Sequence, residues 1–164
     1  MDYFPIFVNL NGQDCLVVGA GDIAARKIDL LARAGAKITV IAKEIGETVL
    51  AMQITHSLHI QQTVFTTRDL RQYKLIVSAT DDVTTNQLVA KTATEQGIPV
   101  NVVDNPGLSS FIFPAIVDRS PIVVAVSSGG APPFWRGYLE QKLNLSFRPL
   151  MGDWRPWQKN LGIR

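Results

Sequence analysis

Short apolar runs alternate with segments of helical period along most of the chain. Cys15-Leu16-Val17-Val18 is a continuous apolar run leading into Gly19, which suits a central strand covered on both faces. Ile38-Thr39-Val40-Ile41, Leu75-Ile76-Val77 and Val100 to Val103 have the same texture, whereas Leu58 to Phe65 alternates and reads as an edge strand. Residues 22–34 read as a helix that opens after Gly21 and stops at Gly35, a residue that accepts positive φ. Residues 82–96 read as a second helix. Asp81-Asp82 supplies a carboxylate to cap its first N–H groups, and Gly97 with Pro99 ends it. Strands alternating with helices predict βαβ units and a parallel sheet, a Rossmann-like doubly wound α/β fold.

After Asp104 the texture changes. Asn105-Pro106-Gly107 reads as a turn, and Phe111 to Val117 and Ile122 to Val126 as two further strands around Asp118-Arg119-Ser120-Pro121. Pro132-Pro133 suits the first turn of a helix running to about Leu143. Residues 144–164 carry Trp154 and Trp157 without a clear period and are expected to be a poorly ordered tail.

Composition narrows the functional classes. A chain of 164 residues, 46% apolar, suits one globular domain with a small appendage. Sixteen Lys and Arg against fourteen Asp and Glu leave a net charge of +2, too balanced for general nucleic-acid or membrane-surface binding. The one cysteine, Cys15, excludes an internal disulfide framework and reads as an inert buried thiol in a reducing compartment. The first Lys or Arg is Arg26, unlike the charged start of a secretory signal. The longest uncharged stretch, Thr48 to Thr67, is too rich in Gln, Thr, Ser and His to cross a membrane. A cytoplasmic protein is expected.

The clearest chemistry lies at Val17-Val18-Gly19-Ala20-Gly21-Asp22-Ile23-Ala24, a strand, a G-x-G-x-x-A turn and a helix start. Glycine at 19 permits the tight turn, glycine at 21 lets the backbone approach a pyrophosphate, and Ala24 lets the helix sit close to the strand. An acidic residue about twenty positions on would hold a ribose hydroxyl, and Glu44 stands there, 44 − 24 = 20 beyond Ala24. Lys43 beside it could salt-bridge Glu44 or tolerate a 2′-phosphate; NAD is favoured over NADP. Glu44 is equally placed to cap the next helix. Thr80 and Asp81 follow the fourth strand, where they could contact the cofactor or cap the helix behind them.

Asp104, at the carboxyl end of the fifth predicted strand, is placed as a general acid or base beside a nicotinamide, or as the first residue of an Asx turn before Asn105-Pro106. Lys27 falls on a stripe with Ile23, Leu30 and Ala34 expected to face the sheet, from which it could snorkel or reach an anionic ligand. Arg26, Arg119 and Arg136 could add a basic rim, and Ser127-Ser128-Gly129-Gly130 could grip a carboxylate or simply turn. His56 and His59 read as surface histidines, and no metal site is expected.

Taken together and in order, these motifs are diagnostic: Pro5-Ile6-Phe7, Val17 to Lys27, Ala79-Thr80-Asp81-Asp82 with Asn86, Asn101-Val102-Val103-Asp104, Ser110 to Ala115, and Val126 to Gly130. The chain resembles the precorrin-2 dehydrogenase/sirohydrochlorin ferrochelatase module of siroheme synthase from residue 1 to about 145. The resemblance implies oxidation of precorrin-2 by NAD to sirohydrochlorin, then insertion of Fe²⁺, a substrate here, to give siroheme. It implies that Gly19, Gly21, Asp22, Ile23 and Ala24 hold the cofactor, with Lys43 and Glu44 near its adenosine ribose. Asp104 would act as acid or base in both steps. The tetrapyrrole supplies its own metal ligands and carries many carboxylates, which gives Lys27, Arg119 and Ser128 a use.

The implied organisation is an NAD-binding domain over 1–113, a dimerisation segment over 114–145 and a tail over 146–164, in a homodimer. A linked uroporphyrinogen methyltransferase domain is also implied. The chain departs from the family at Gly130-Ala131-Pro132-Pro133 and beyond, where a longer helical region is usual. That departure motivates an alternative, a non-catalytic NAD(H)-binding redox sensor. A short nicotinamide reductase would need a Tyr-x-x-x-Lys pair, which occurs only at Tyr138–Lys142, away from the expected crevice.

Overall fold

A computed structural model of the chain describes residues 2–127. The chain divides into two compact units, one of residues Phe4–Ile112 and one of Met1–Tyr3 with Phe113–Arg164. The larger unit is a five-stranded parallel sheet of β1 (Asp14–Val18), β2 (Lys37–Ala42), β3 (His59–Gln62), β4 (Leu75–Ser78) and β5 (Val100–Val102), in the order β3-β2-β1-β4-β5. Three helices join it, α1 (Asp22–Arg33), α2 (Glu47–Thr55) and α3 (Val83–Glu95). This is a Rossmann-like sheet, and of the alternating run at 58–65 only His59–Gln62 forms the edge strand β3, the chain leaving the sheet before Phe65.

The continuous apolar runs form the central strands because both of their faces are covered. Leu16, Val18, Ile41 and Ile76 pack with Val89, Ala90 and Ala93 of α3. The alternate positions Cys15, Val17, Ile38, Val40 and Val77 are buried as well. Burial pushes the Cys15 thiol up to about 11, as befits a group that packs rather than reacts. The crossover from β3 to β4 contains no helix. Phe65, Leu70 and Tyr73 pack into the core in its place, and the Gln96 side chain clamps the loop, accepting from Leu70 N (2.7 Å) and donating to the Arg68 carbonyl (2.9 Å).

One helix goes unread in the sequence and two expectations need correction. Helix α2 is not predicted by the sequence pattern: among its residues only Val49 is buried, while Leu50 and Ile54 are exposed, so no apolar stripe marks it. The sheet-facing side of α1 is Ala24, Ala25, Ile28 and Leu31, not the stripe through Ile23 and Lys27; Ile23 is exposed and Lys27 half-buried. Phe111 to Pro114 is not strand. Ser109 and Ser110 instead cover the free edge of β5, their hydroxyls accepting from Val102 N (2.9 Å) and Val100 N (2.8 Å). Asn101 Nδ2 donates to the Phe111 carbonyl (2.9 Å), which fixes the chain as it leaves the sheet.

In the smaller unit β6 (Ala115–Arg119) and β7 (Ile122–Val126) form an antiparallel hairpin closed by Ser120 and a cis Pro121. Asp118 Oδ1 accepts from Ser120 N (3.1 Å) and Ser120 Oγ (3.0 Å), which tightens the turn. The expected helix over 132–143, the turn at Ser128-Gly129-Gly130, Arg136, the Tyr138–Lys142 pair and the tail lie outside the described residues. Among the described residues no helix is long and apolar enough to cross a membrane.

Candidate functional site

Five parallel strands bring their carboxyl ends to one edge. Gly19–Gly21 follows β1, Lys43–Gly46 follows β2, Ala79–Asp82 follows β4 and Val103–Asn105 follows β5. The chain leaves β1 toward β2 on one side and returns to β4 on the other, so the switch in strand order falls at the end of β1. Such switch points form the ligand crevice of open α/β sheets.

The first turn is built on two glycines with different reasons. Gly19 has φ +108, and a Cβ there would lie 2.1 Å from the Ala79 carbonyl oxygen. Its place is dictated by the β4–α3 loop, which crosses against it with Ala79 N bonded to the Val18 carbonyl (2.7 Å). Gly21 has an ordinary extended backbone, and a Cβ there would meet nothing within 4 Å; no neighbour among the described residues requires a glycine there. The start of α1 also receives no side-chain cap. An uncapped helix start with open space beside its N-cap residue is an arrangement that takes an anionic group. Ala24, one turn on, is fully buried and lets α1 lie against the sheet.

The second turn is closed by its own side chains. Asp82 Oδ1 accepts from Thr84 N (2.9 Å) and Thr85 N (3.2 Å), and Oδ2 accepts from Thr85 Oγ1 (2.9 Å). These bonds, the Thr85 hydroxyl first, hold the Asp82 carboxyl below the usual carboxylate range. Buried Ser78 donates from Oγ to Asn86 Oδ1 (2.7 Å), and Asn86 Nδ2 donates to the Thr80 carbonyl (2.9 Å). Asn86 therefore ties the end of β4 to the loop that abuts Gly19. The capping role expected for this segment falls to Asp82; Asp81 is exposed, and Thr80 Oγ1 accepts from Asp82 N (3.3 Å).

Between β2 and α2, Glu44 is exposed and does not cap the next helix; Gly46 is its N-cap residue. Gly46 N donates to the Ala20 carbonyl (3.0 Å), and a Cβ on Gly46 would lie 2.6 Å from that oxygen, so this glycine lets α2 support the glycine loop. Lys43 does not reach back to Glu44; its ion-pair partner is Asp82, at 3.8 Å. Asp22 Oδ1 accepts from Thr48 Oγ1 (3.3 Å), which links α1 to α2.

Asp104 lies two residues past β5, exposed, with φ +57. A left-handed conformation at a non-glycine residue costs energy, though Asp bears it more easily than most, and such residues gather at functional sites. Lys27 lies on α1; Arg119 ends β6, where Nη1 donates to the Asp118 carbonyl (2.9 Å). Ser128 lies outside the described residues. His56 caps the end of α2 and sits 4.0 Å from Asp29, while His59 is on β3. Among the described residues no three His, Cys, Asp or Glu side chains gather as metal ligands.

The larger unit thus joins Gly19, Gly21, Asp22, Ile23, Ala24, Lys43, Glu44, Thr80, Asp81 and Asp104 on one edge. Sequence reasoning assigns no role to Gly46 or Asn86. Asn86 stands within one of the ordered motifs, and Gly46 carries no signal because α2 itself has none.

The chain is similar to several known proteins. Siroheme synthase of Methylococcus capsulatus is 49% identical over 133 residues, 81% of this chain and 28% of that protein. Siroheme synthase of Nitrosomonas eutropha is 49% identical over 145 residues, 87% of this chain and 30% of that protein. The chain therefore spans under a third of the length of these two relatives. The solved structure of SirC, precorrin-2 dehydrogenase, superposes with a TM-score of 0.75 at 28% identity, covering 88% of this chain and 71% of that one. A family model described as NAD(P)-binding, NAD_binding_7, matches residues 6–115, more than half of the chain, and the chain belongs to that family.

Proposed function

We propose that the chain oxidises precorrin-2 to sirohydrochlorin with NAD⁺ and that the same site then inserts Fe²⁺, as substrate, to give siroheme. The observation that carries this reading is the likeness to SirC, precorrin-2 dehydrogenase, over 88% of the chain. Likeness to a dehydrogenase also favours catalysis over a non-catalytic NAD(H) sensor.

The residues present fit a dinucleotide. A Cβ at Gly21 would meet nothing within 4 Å, which supports setting a pyrophosphate there, and the uncapped start of α1 is assigned to offer it the N–H groups of Asp22, Ile23 and Ala24. The Asp22 carboxylate takes a bond from Thr48, so its part in holding the anion is its backbone N–H. Lys43 and Glu44 are assigned to the adenosine ribose, and Thr80 and Asp81 to the far wall of the crevice. NAD⁺, when bound, accepts the hydride that the oxidation releases.

Loss of a hydride from the macrocycle leaves a proton to be removed. Asp104 is the carboxylate at the end of β5 assigned to take it onto a carboxylate oxygen. In metal insertion two pyrrole N–H protons leave as Fe²⁺ enters, and the same exposed carboxylate is assigned to take them one at a time, passing each to solvent water before the next. The four pyrrole nitrogens supply the ligands, so the protein needs a base rather than a metal cage. Lys27, Arg119 and Ser128 are assigned to the substrate carboxylates. A cytoplasmic homodimer, joined through the segment at 114–145 and linked to a uroporphyrinogen methyltransferase domain, completes the proposal.

The test is anaerobic turnover of precorrin-2 with NAD⁺ by the parent protein and by Asp104→Ala. A loss of kcat of about 100-fold or more with NAD affinity unchanged is expected if Asp104 is the acid/base group. Equal turnover by the two proteins sinks the assignment. Unimpaired NAD binding without turnover by either leaves the sensor reading in its place.

A further inference from the structure

The lysine at this edge is already engaged. Lys43 follows β2 and Asp82 opens α3 after β4, so the two flank β1, and their side chains meet at 3.8 Å (Nζ to Oδ2) across the end of that strand, where the glycine loop begins. The two partners differ in freedom. Asp82 is pinned by three hydrogen bonds from Thr84 and Thr85. Lys43 has its main chain tied, its carbonyl accepting from Gln62 Nε2 (3.2 Å), but its side chain is 63% exposed. The lysine is the member that adjusts, and the carboxylate marks where it goes.

The surroundings point the same way. Glu44 and Asp81, in the same two turns as Lys43 and Asp82, add two more exposed carboxylates to this edge. A ligand carrying a free ribose 2′-hydroxyl can donate to such a carboxylate. One carrying a 2′-phosphate brings further negative charge to a place where the nearby cation is already paired.

We infer that Asp82 makes this site select the dinucleotide with a free 2′-hydroxyl, by holding Lys43 and by fixing a negative charge beside it. The inference rests on the proposal that the crevice binds a nicotinamide dinucleotide. Asp82 acts here as a specificity-determining residue in addition to capping α3. Lys43 and Glu44 decide whether the adenosine ribose is held; Asp82 decides which ribose is accepted.

Asparagine separates the two roles of Asp82. It is as good a helix cap as aspartate and nearly the same shape, so Asp82→Asn keeps α3 while removing the charge. The experiment is titration calorimetry of NAD⁺ and NADP⁺ on the full-length parent protein and on Asp82→Asn, with circular dichroism to verify the fold. The parent is expected to bind NAD⁺ more tightly. In Asp82→Asn the dissociation constant for NADP⁺ is expected to fall about fivefold while that for NAD⁺ stays within about twofold, the size of one exposed charge interaction. Adding Lys43→Met to Asp82→Asn is expected to remove the gain, and raising the salt concentration to shrink it.

An unchanged ratio of the two affinities in Asp82→Asn overturns the inference, as does a parent protein with no preference; both leave the crevice as a dinucleotide site. Failure of the parent to bind either nucleotide refutes the cofactor proposal itself, and the inference with it.

Discussion

Two turns face each other at the top of the sheet and solve the same local problem in opposite ways. Each joins a strand to a helix whose first N–H groups have no partner within the helix. At the β4–α3 turn the chain closes the gap itself, with Asp82 on the backbone of Thr84 and Thr85 and Asn86 bracing the loop from behind. At the β1–α1 turn it does not: Gly21 brings no side chain, and the space beside it is open. The uncapped start of α1, beside the braced one and at the switch in strand order, is where the proposed dinucleotide would set its pyrophosphate. The braced turn is the wall against which the open one is set, because Ala79 packs on Gly19.

Substitutions can break that pairing at four places. The largest effect is expected at Gly19→Ala, where positive φ and a 2.1 Å approach to the Ala79 carbonyl act together; a loss of about 3 kcal/mol is expected, lowering Tm by about 10 °C. Asn86→Ala follows, since it strips a partner from the buried Ser78 hydroxyl and from the Thr80 carbonyl. It is expected to cost about 2 kcal/mol in denaturant unfolding and to weaken NAD binding by loosening the wall.

Gly21→Ala sharpens the contrast. Its methyl group meets nothing among the described residues, so Tm is expected to move by no more than about 2 °C. The dissociation constant for NAD⁺ is expected to rise about tenfold or more, because the methyl group occupies space a pyrophosphate would use. A large Tm change without a change in affinity would contradict this assignment.

The smallest effect is a pH dependence at Asp82. Its carboxyl is held below the usual range in the folded protein, so its charge stabilises the fold fully above the ordinary carboxylate range, near about pH 4. That contribution is lost as pH falls through the lowered folded value. Asp82→Asn, whose cap is neutral, is expected to melt about 1–2 °C below the parent at pH 7. The gap is expected to close as pH falls below the ordinary carboxylate range; a gap that stays constant on acidification would show that the charge adds nothing.

How much of this was legible depended on whether a feature is local. The five parallel strands, α1, α3 and the glycine turn could be read because strand burial on both faces and helix stop signals are written within a few residues. Helix α2 could not, since it presents one buried apolar residue, Val49, and leaves Leu50 and Ile54 outside. The half-buried residues Phe111 to Pro114 imitate a strand by apolar content alone; what places them is the serine pair on the β5 edge, a contact the run does not encode. The site divides the same way. Gly19, Gly21 and Asp104 follow from position after a strand, whereas the Lys43–Asp82 pair, the Gly46–Ala20 contact and the positive φ of Asp104 arise only when distant turns meet.

The most direct test is the position of the coenzyme in a structure of the protein with NAD⁺. The account predicts pyrophosphate oxygens on the N–H groups at the start of α1, beside Gly21, with the nicotinamide ring facing the Asp104 carboxylate. A pyrophosphate bound elsewhere, or an Asp104 side chain turned away from the ring, would contradict it.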